Sequence, residues 1–308
     1  MSRSKQLCWM VRSGALALVA YGCGDGGTPP TPGPDPLNNQ IIFSSDRDGN
    51  SEIYVMNPDG SNPVRLTNNT FQDGTPTVSP DGSRIAFISN RNGNFDIWAM
   101  NSDGTGQVNL TNSTSDNFTP VWSFDGTQIA FSSNRQGSFQ PYIMQADGSN
   151  QVPFAALATS DIQPAWSPDG SKLAFISTAP ELMGPSIFVS NADGSGRVNL
   201  TPDLGTNGAP AWSPDGSRLA FVTLRDGTSF FEVYVMNADG SAQTRLTDNA
   251  FEEYGVSWSP DGTQLVFCSD RTGDREVFIM GADGSNPTNL SNNPIYNDCD
   301  ASWVPEHP

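Results

Sequence analysis

The chain has 308 residues, 15 basic and 33 acidic, with a formal net charge of −18 and only 16% charged residues. A surface this acidic repels phosphate backbones and anionic lipid head groups, which excludes nucleic acid as a partner. The single histidine, His307, excludes Ser-His-Asp, Cys-His and histidine-metal chemistry.

Residues 1–22 read as a lipoprotein signal peptide. Arg3, Lys5 and Arg12 lead into a short apolar stretch from Gly14 to Tyr21, too brief to span a bilayer. Val19-Ala20-Tyr21-Gly22-Cys23 resembles a bacterial lipoprotein processing site, which implies acylation of Cys23; a simple secretory signal is the alternative. Both readings export the chain to the periplasm or cell surface, and the first anchors it to a membrane through lipid alone. Residues 23–39, with Thr-Pro-Pro-Thr-Pro-Gly-Pro at their centre, cannot build a core and read as an extended tether.

From residue 40 onward one unit recurs. An Asp-Gly pair ends at Gly60, Gly104, Gly148, Gly194, Gly240 and Gly284, at spacings of 44, 44, 46, 46 and 44 residues. Each unit holds four short apolar segments bounded by turn signals, as in Ala165-Trp-Ser, Lys172 to Ile176, Ile187 to Ser190 and Arg197 to Leu200. Pro168-Asp169-Gly170 and Ala192-Asp193-Gly194 supply the turn residues between them. The unit is thus a four-stranded antiparallel meander, strands A to D from the axis outward, and a 44-residue period of such units predicts a β-propeller.

The two ends of this array complement each other. It begins with strands B, C and D at Gln40–Ser45, Glu52–Met56 and Val64–Thr67, without an A strand. It ends with an A strand, Asp300–Val304, that no B strand follows. Joining them predicts an all-β, six-bladed propeller over 40–308, closed by the C-terminal strand A against the N-terminal strands B, C and D. Trp122, Trp166, Trp212, Trp258 and Trp303, at one site per blade with Val78 in the remaining copy, read as packing between blades, as do the B-strand residues Phe43, Phe87, Phe131, Phe175, Phe221 and Phe267.

Several polar positions keep step with the repeat. Asp73, Asn117, Asp161, Asn207, Glu253 and Asp298 stand once per blade and are expected to ring one mouth of the central channel. Arg47, Arg91, Arg135, Arg225 and Arg271 follow the B strands on the same face. Bracing of each loop by its arginine is one reading and a ligand site at the mouth is the other. Blade 4 has Asp161 but Thr178-Ala179-Pro180 in the arginine's place. Asp46-Arg-Asp48-Gly-Asn50-Ser-Glu52 alternates oxygen ligands as a calcium loop does. Its glycine falls at the fourth place, and flanking strands favour a hairpin, so no cofactor is called for. Cys268 and Cys299 fall on one face of the closing seam, where a disulfide is expected in an oxidising compartment.

All length variation falls in the B–C and D–A connections. From the B-strand Phe to the C-strand aromatic there are 11 steps in four repeats, but 13 from Phe175 to Phe188 and from Phe221 to Tyr234. The longer loops carry Leu182, Met183, Phe230 and Phe231, the expected partner-binding residues, although Phe231 aligns with Phe95 and Phe139 and packing would also explain it.

The unit written Ala-Pro-Ala-Trp-Ser-Pro-Asp-Gly-Ser, Leu-Ala-Phe, Asn-Ala-Asp-Gly-Ser and Val-Asn-Leu-Thr resembles the repeats of the TolB-like propeller family over about residues 40 to 304. The resemblance implies six blades and contact with partner proteins in the cell envelope. It does not extend to the extra N-terminal domain of TolB, in whose place stand the tether and Cys23. The functional expectation is a monomeric, non-enzymatic protein-binding platform of the bacterial envelope. The alternatives are a glycan-binding or carboxylate-based glycan-cleaving propeller and a structural component of an envelope complex.

Overall fold

A computed structural model describes residues 36–306, apart from 155–160, 179–181, 183, 203–204, 226 and 228. The described residues fold as six four-stranded antiparallel sheets with no helix. Blade 4 serves as the pattern: strand A is Asp161–Trp166, B is Lys172–Ser177, C is Ser186–Asn191 and D is Val198–Asn199. The A strand of blade 1, Asp298–Trp303, pairs with the B strand Ile41–Ser45, which pairs with Glu52–Met56 and then Val64–Arg65. The chain's two ends therefore close the ring. A disulfide joins Cys268 to Cys299 with a Cα separation of 5.3 Å, linking the B strand of blade 6 to the A strand of blade 1.

That closing A strand starts at Asp298, two residues before the expected Asp300, because the ladder continues past an irregularity. The same register shift interrupts every A–B pair. At it stand Thr75, Thr119, Gln163, Ala209, Gly255 and Asp300, all left-handed, with φ between 43° and 53°. Five of these are not glycine, and each such residue costs about 1–2 kcal/mol over its ordinary conformation. The distortion is thus imposed by the ring. All six line the central channel, a cavity of about 320 Å³.

The turns follow their sequences. Gly170 donates its N–H to the Ser167 carbonyl at 2.9 Å with φ 68°, a type I turn with proline second and glycine fourth. The Ser167 hydroxyl donates to Asp169 at 2.6 Å, and Asp169 also accepts from the Ser171 N–H at 3.0 Å. The glycine of the C–D turn serves a second purpose. A Cβ on Gly104 would strike the Leu66 carbonyl of the preceding blade, and Gly60, Gly148, Gly240 and Gly284 meet Leu290, Leu110, Leu200 and Leu246 in the same way. Asp-Gly recurs because the blade turns there and because its neighbour leaves no room for a side chain.

The core lies between blades. One cluster unites Val233 and Val235 of blade 5 with Trp258 and Phe267 of blade 6; another unites Phe43, Tyr54 and Trp303 of blade 1 with Val266 and Val277 of blade 6. The B-strand phenylalanines are fully buried. Trp212 and Trp258 donate their indole N–H groups across the seams to the carbonyls of Ala165 and Ala211, at 3.2 and 3.1 Å. The D strands have only two residues each, against the four expected in blade 1. Such short outer edges offer little to pair with another chain.

Removing residues 298–308 should lower the melting temperature by more than about 10 °C, since it deletes one strand, exposes the edge of Ile41–Ser45 and unmakes the disulfide; differential scanning calorimetry checks this. A second expectation concerns acid. Hydrogen bonds from Ser167 and Ser213, then from the backbone of Ser171 and Ser217, hold Asp169 and Asp215 down to about 2. A lowered carboxyl stabilises the fold fully above its unfolded value and stops doing so as pH falls from about 4 to about 2. The difference in melting temperature between the parent chain and Asp215→Asn should therefore be present at neutral pH and shrink over that window.

Candidate functional site

The six residues expected to ring the channel mouth do begin the A strands or, for Asn207, stand one residue inside. They are not presented to solvent: exposure is 0% for Asp73, Asn117, Asp161, Glu253 and Asp298 and 3% for Asn207. Each meets a guanidinium. Arg47 bonds both oxygens of Asp298 at 3.0 and 2.9 Å, Arg91 meets Asp73 at 2.6 Å and Arg271 meets Glu253 at 2.6 Å. Arg135 and Arg225 donate to the side-chain carbonyls of Asn117 and Asn207, at 3.1 and 3.2 Å.

Blade 4 meets the same need from another position. Arg197, from the C–D turn, reaches both oxygens of Asp161 at 3.1 and 3.2 Å and takes the Ser177 hydroxyl at 2.7 Å. The carboxylate whose blade has alanine, Ala179, at the position of the loop arginine is thus served from elsewhere. In blades 3 and 5 the position of Arg197 is held by Gln151 and Gln243, which accept from Arg135 and Arg225. The repeat exchanges the two partners while keeping one cation in one place. Every one of these guanidinium groups lies over the B-strand phenylalanine and the C-strand aromatic of its blade. Arg197 is 5.0 Å from the Phe175 ring and 4.3 Å from Phe188, and Arg47 is 5.5 Å from Phe43 and 4.7 Å from Tyr54.

A second polar ring, at the start of the C strands, escaped the sequence reading. Glu52, Asp96, Glu232 and Glu276 are fully buried and hold the D–A loops by their backbones. Glu52 accepts from the Asn69 N–H at 2.7 Å, Glu232 from Asn249 at 2.9 Å and Glu276 from Asn293 at 2.7 Å. Burial pushes the Glu253 and Glu276 carboxyls above the usual range, against the pull of their hydrogen-bond donors. The acids of the calcium reading, Asp46 to Glu52, meet protein donors in the structure: Asp46 accepts from Asn297 at 2.8 Å, and Asp48 and Glu52 share Arg65, at 2.9 and 2.8 Å. Among the described residues, no group of three His, Cys, Asp or Glu is placed to hold a metal ion. Buried carboxylates paired with arginine and amide partners brace loops.

A model of the TolB beta propeller domain matches residues 11–141, 68–184 and 138–307. The chain belongs to the TolB beta propeller family. Its fold is shared with TolB from Acinetobacter baumannii at TM-score 0.76 and 20% identity, covering 87% of this chain and 67% of that one. A putative TolB from Agrobacterium tumefaciens aligns at TM-score 0.67 and 20% identity, covering 87% of this chain and 99% of the other. An oligogalacturonate lyase in complex with manganese shares the fold at TM-score 0.58 and 15% identity, over 81% of this chain and 73% of that one. No curated protein matches the chain in sequence.

Within this TolB-type propeller the expected partner loops are only in part where exposed apolar surface lies. Leu182 and Phe230 are half-buried. Phe231 packs against the cluster of blades 5 and 6, as its alignment with Phe95 and Phe139 allowed. Met183 and Cys23 lie outside the described residues, as does most of the tether. The exposed apolar side chains of this face are instead Phe71 (42%), Phe251 (42%), Ile295 (73%) and Tyr296 (38%), all on D–A loops. Their signal was an apolar residue among polar ones just before a ring acid, as in Asn69-Thr-Phe71 and Asn249-Ala-Phe251. It was hidden because every D–A loop reads as polar turn chemistry.

These loops are linked into one arc around the closing seam. Glu252, beside Phe251, donates its N–H to Asp270 at 2.9 Å. Asp298 donates to the Arg275 carbonyl at 2.7 Å, and Asn297, beside Tyr296, bonds Asp46 through backbone and side chain. Asn50 reaches the Phe71 carbonyl, and Ser51 donates to Gln72 at 3.1 Å.

Replacing Arg197 with alanine takes the cation from a buried carboxylate and should cost about 3–5 kcal/mol. Combining Arg197→Gln with Ala179→Arg, the position that aligns with Arg135 and Arg225, rebuilds the arrangement of blades 3 and 5 and should recover most of that loss. Urea midpoints of the parent, single and double variants measure both effects.

Proposed function

We propose that this propeller is a non-enzymatic protein-binding platform, exported to the bacterial envelope and held there by a lipid on Cys23, with the tether giving it reach. The observation that carries this reading is the arc of Phe71, Phe251, Ile295 and Tyr296, exposed together on hydrogen-bonded loops of one rigid face. Exposed apolar side chains clustered on loops of a regular scaffold mark a contact surface. Asp46, Asp48, Asp248, Glu252 and Asp270 border the arc, so a partner would offer apolar anchors with basic neighbours. The leader and Cys23 support export and anchoring by their resemblance to a lipoprotein signal, and membership of the TolB beta propeller family agrees with it. The glycan-cleaving alternative rests on likeness in fold to a lyase, and the ring carboxylates it would need are buried against arginine.

Photo-crosslinking in intact envelopes tests the proposal. A benzophenone side chain at position 296 should capture a discrete partner, and the pair Phe251→Asp and Ile295→Asp should abolish capture without lowering the melting temperature. Equal capture from position 230 and none from 296 would return the contact to the longer B–C loops. Capture from neither would refute the platform.

A further inference from the structure

The opposite face, formed by the A–B and C–D turns, carries a different feature. Its mouth is rimmed by Pro80, Phe124, Pro168, Pro214, Pro260 and Pro305, around a depression of about 760 Å³. Phe124, which stands where four blades have the proline of their A–B turn, is 61% exposed. A side pocket of about 240 Å³ opens from this mouth at the seam between blades 6 and 1, sharing Ser259, Pro260, Trp303 and Glu306 with it. Its walls also include Asp261, Gln264 and Asn39. It is open because blade 1 has no A–B hairpin: its A and B strands come from opposite ends of the chain.

Two other seams show a cation beside the equivalent tryptophan. At the seam between blades 5 and 6, Arg218 begins the B strand and lays its guanidinium 4.6 Å from the centre of the Trp258 ring. Its charge also helps to lower Asp215 in the adjoining turn. Arg84 lies over Trp122 in the same way, at 5.9 Å. At the seam between blades 6 and 1 the equivalents are Gln264, Trp303 and Asp261. The tryptophan and the aspartate are kept while the cation is replaced by an amide. Hydrogen bonds from Ser259 and Thr263 hold the Asp261 carboxyl below the usual carboxylate range. Among the described residues neither Asp261 nor Glu306 enters an ion pair.

We infer that this pocket receives an arginine side chain from a partner polypeptide. The guanidinium would stack on Trp303, as Arg218 stacks on Trp258 of the next blade, and would bond Asp261 and Glu306, while apolar neighbours in the segment rest on the proline rim and Phe124. The chemistry matches a partner that is basic where this chain is acidic. The site lies on the face opposite the D–A arc and does not depend on the contact proposed there.

Titration calorimetry on the full chain with blocked Leu-Arg-Leu, and with its uncharged citrulline counterpart, tests the inference. The arginine peptide should bind, and the citrulline peptide should bind at least about tenfold more weakly. Gln264→Arg supplies the guanidinium internally and should abolish binding while the melting temperature holds or rises. Glu306→Gln should weaken binding with the fold intact. Equal affinity for the two peptides, no affinity for either, or undiminished binding by Gln264→Arg would overturn the assignment. So would binding that appears only after residues 307–308 are removed, which would give the pocket to the chain's own end.

Discussion

Ring closure is the constraint on which everything else in this propeller depends. Six blades pack on one another through apolar seams, and a seam is complete only if blade 6 meets blade 1 as blade 5 meets blade 6. The A strand Asp298–Trp303 makes this possible by pairing with Ile41–Ser45. Phe43, Tyr54 and Met56 then pack with Val266 and Val277 in the same cluster. The Cys268–Cys299 bridge covalently ties the same seam. Closure also sets the strain at the channel, where six A strands crowd around one axis and each bends through a left-handed residue. Threonine, glutamine, alanine and aspartate accept that conformation only because the surrounding ladder leaves no alternative.

On this frame the polar chemistry is uniform and inward. A carboxylate or amide at the start of strand A, a guanidinium over two aromatic rings and a second polar residue at the start of strand C form a buried truss in blade after blade. Burying a charge is costly unless its partner is well placed. That explains why blade 4, which has no arginine after its B strand, draws one from its C–D turn. The truss ties each loop of the upper face to its own blade, so those loops are presented as fixed features. The surface features that differ between blades are the apolar tips of three successive D–A loops on one face and, on the other, the closing seam, where blade 1 has no A–B hairpin and Gln264 stands beside Trp303.

The sequence by itself determined the number of blades, their four-strand order, the turns and the way the ends meet. All of these follow from local rules: short apolar segments, Pro-Asp-Gly and Asn-Ala-Asp-Gly turns, and a period that leaves three strands over at the start of the array and one at its end. It also brought Cys268 and Cys299 to one seam, since topology alone places them. The polar ring was legible as a repeat, but its accessibility was not. Whether Asp73 or Glu253 faces water or an arginine depends on how the loop after strand B folds back over the start of strand A, which the three-dimensional structure shows.

The same limit applies to the surfaces. Length differences pointed to the loops of Leu182 and Phe230, whereas exposure is concentrated at Phe71, Phe251, Ile295 and Tyr296. Loop length is a property of the chain; exposure depends on what the neighbouring blade covers. The substitution of Arg197 for Gln151 or Gln243, and the vacancy left beside Trp303 by Gln264, are likewise invisible in a linear reading. Each is defined by groups from different strands or blades that become neighbours only in the folded ring. The chain thus determined its architecture through local turn and strand preferences, and the tertiary structure decided which residues remain available to a partner, because burial is settled between blades.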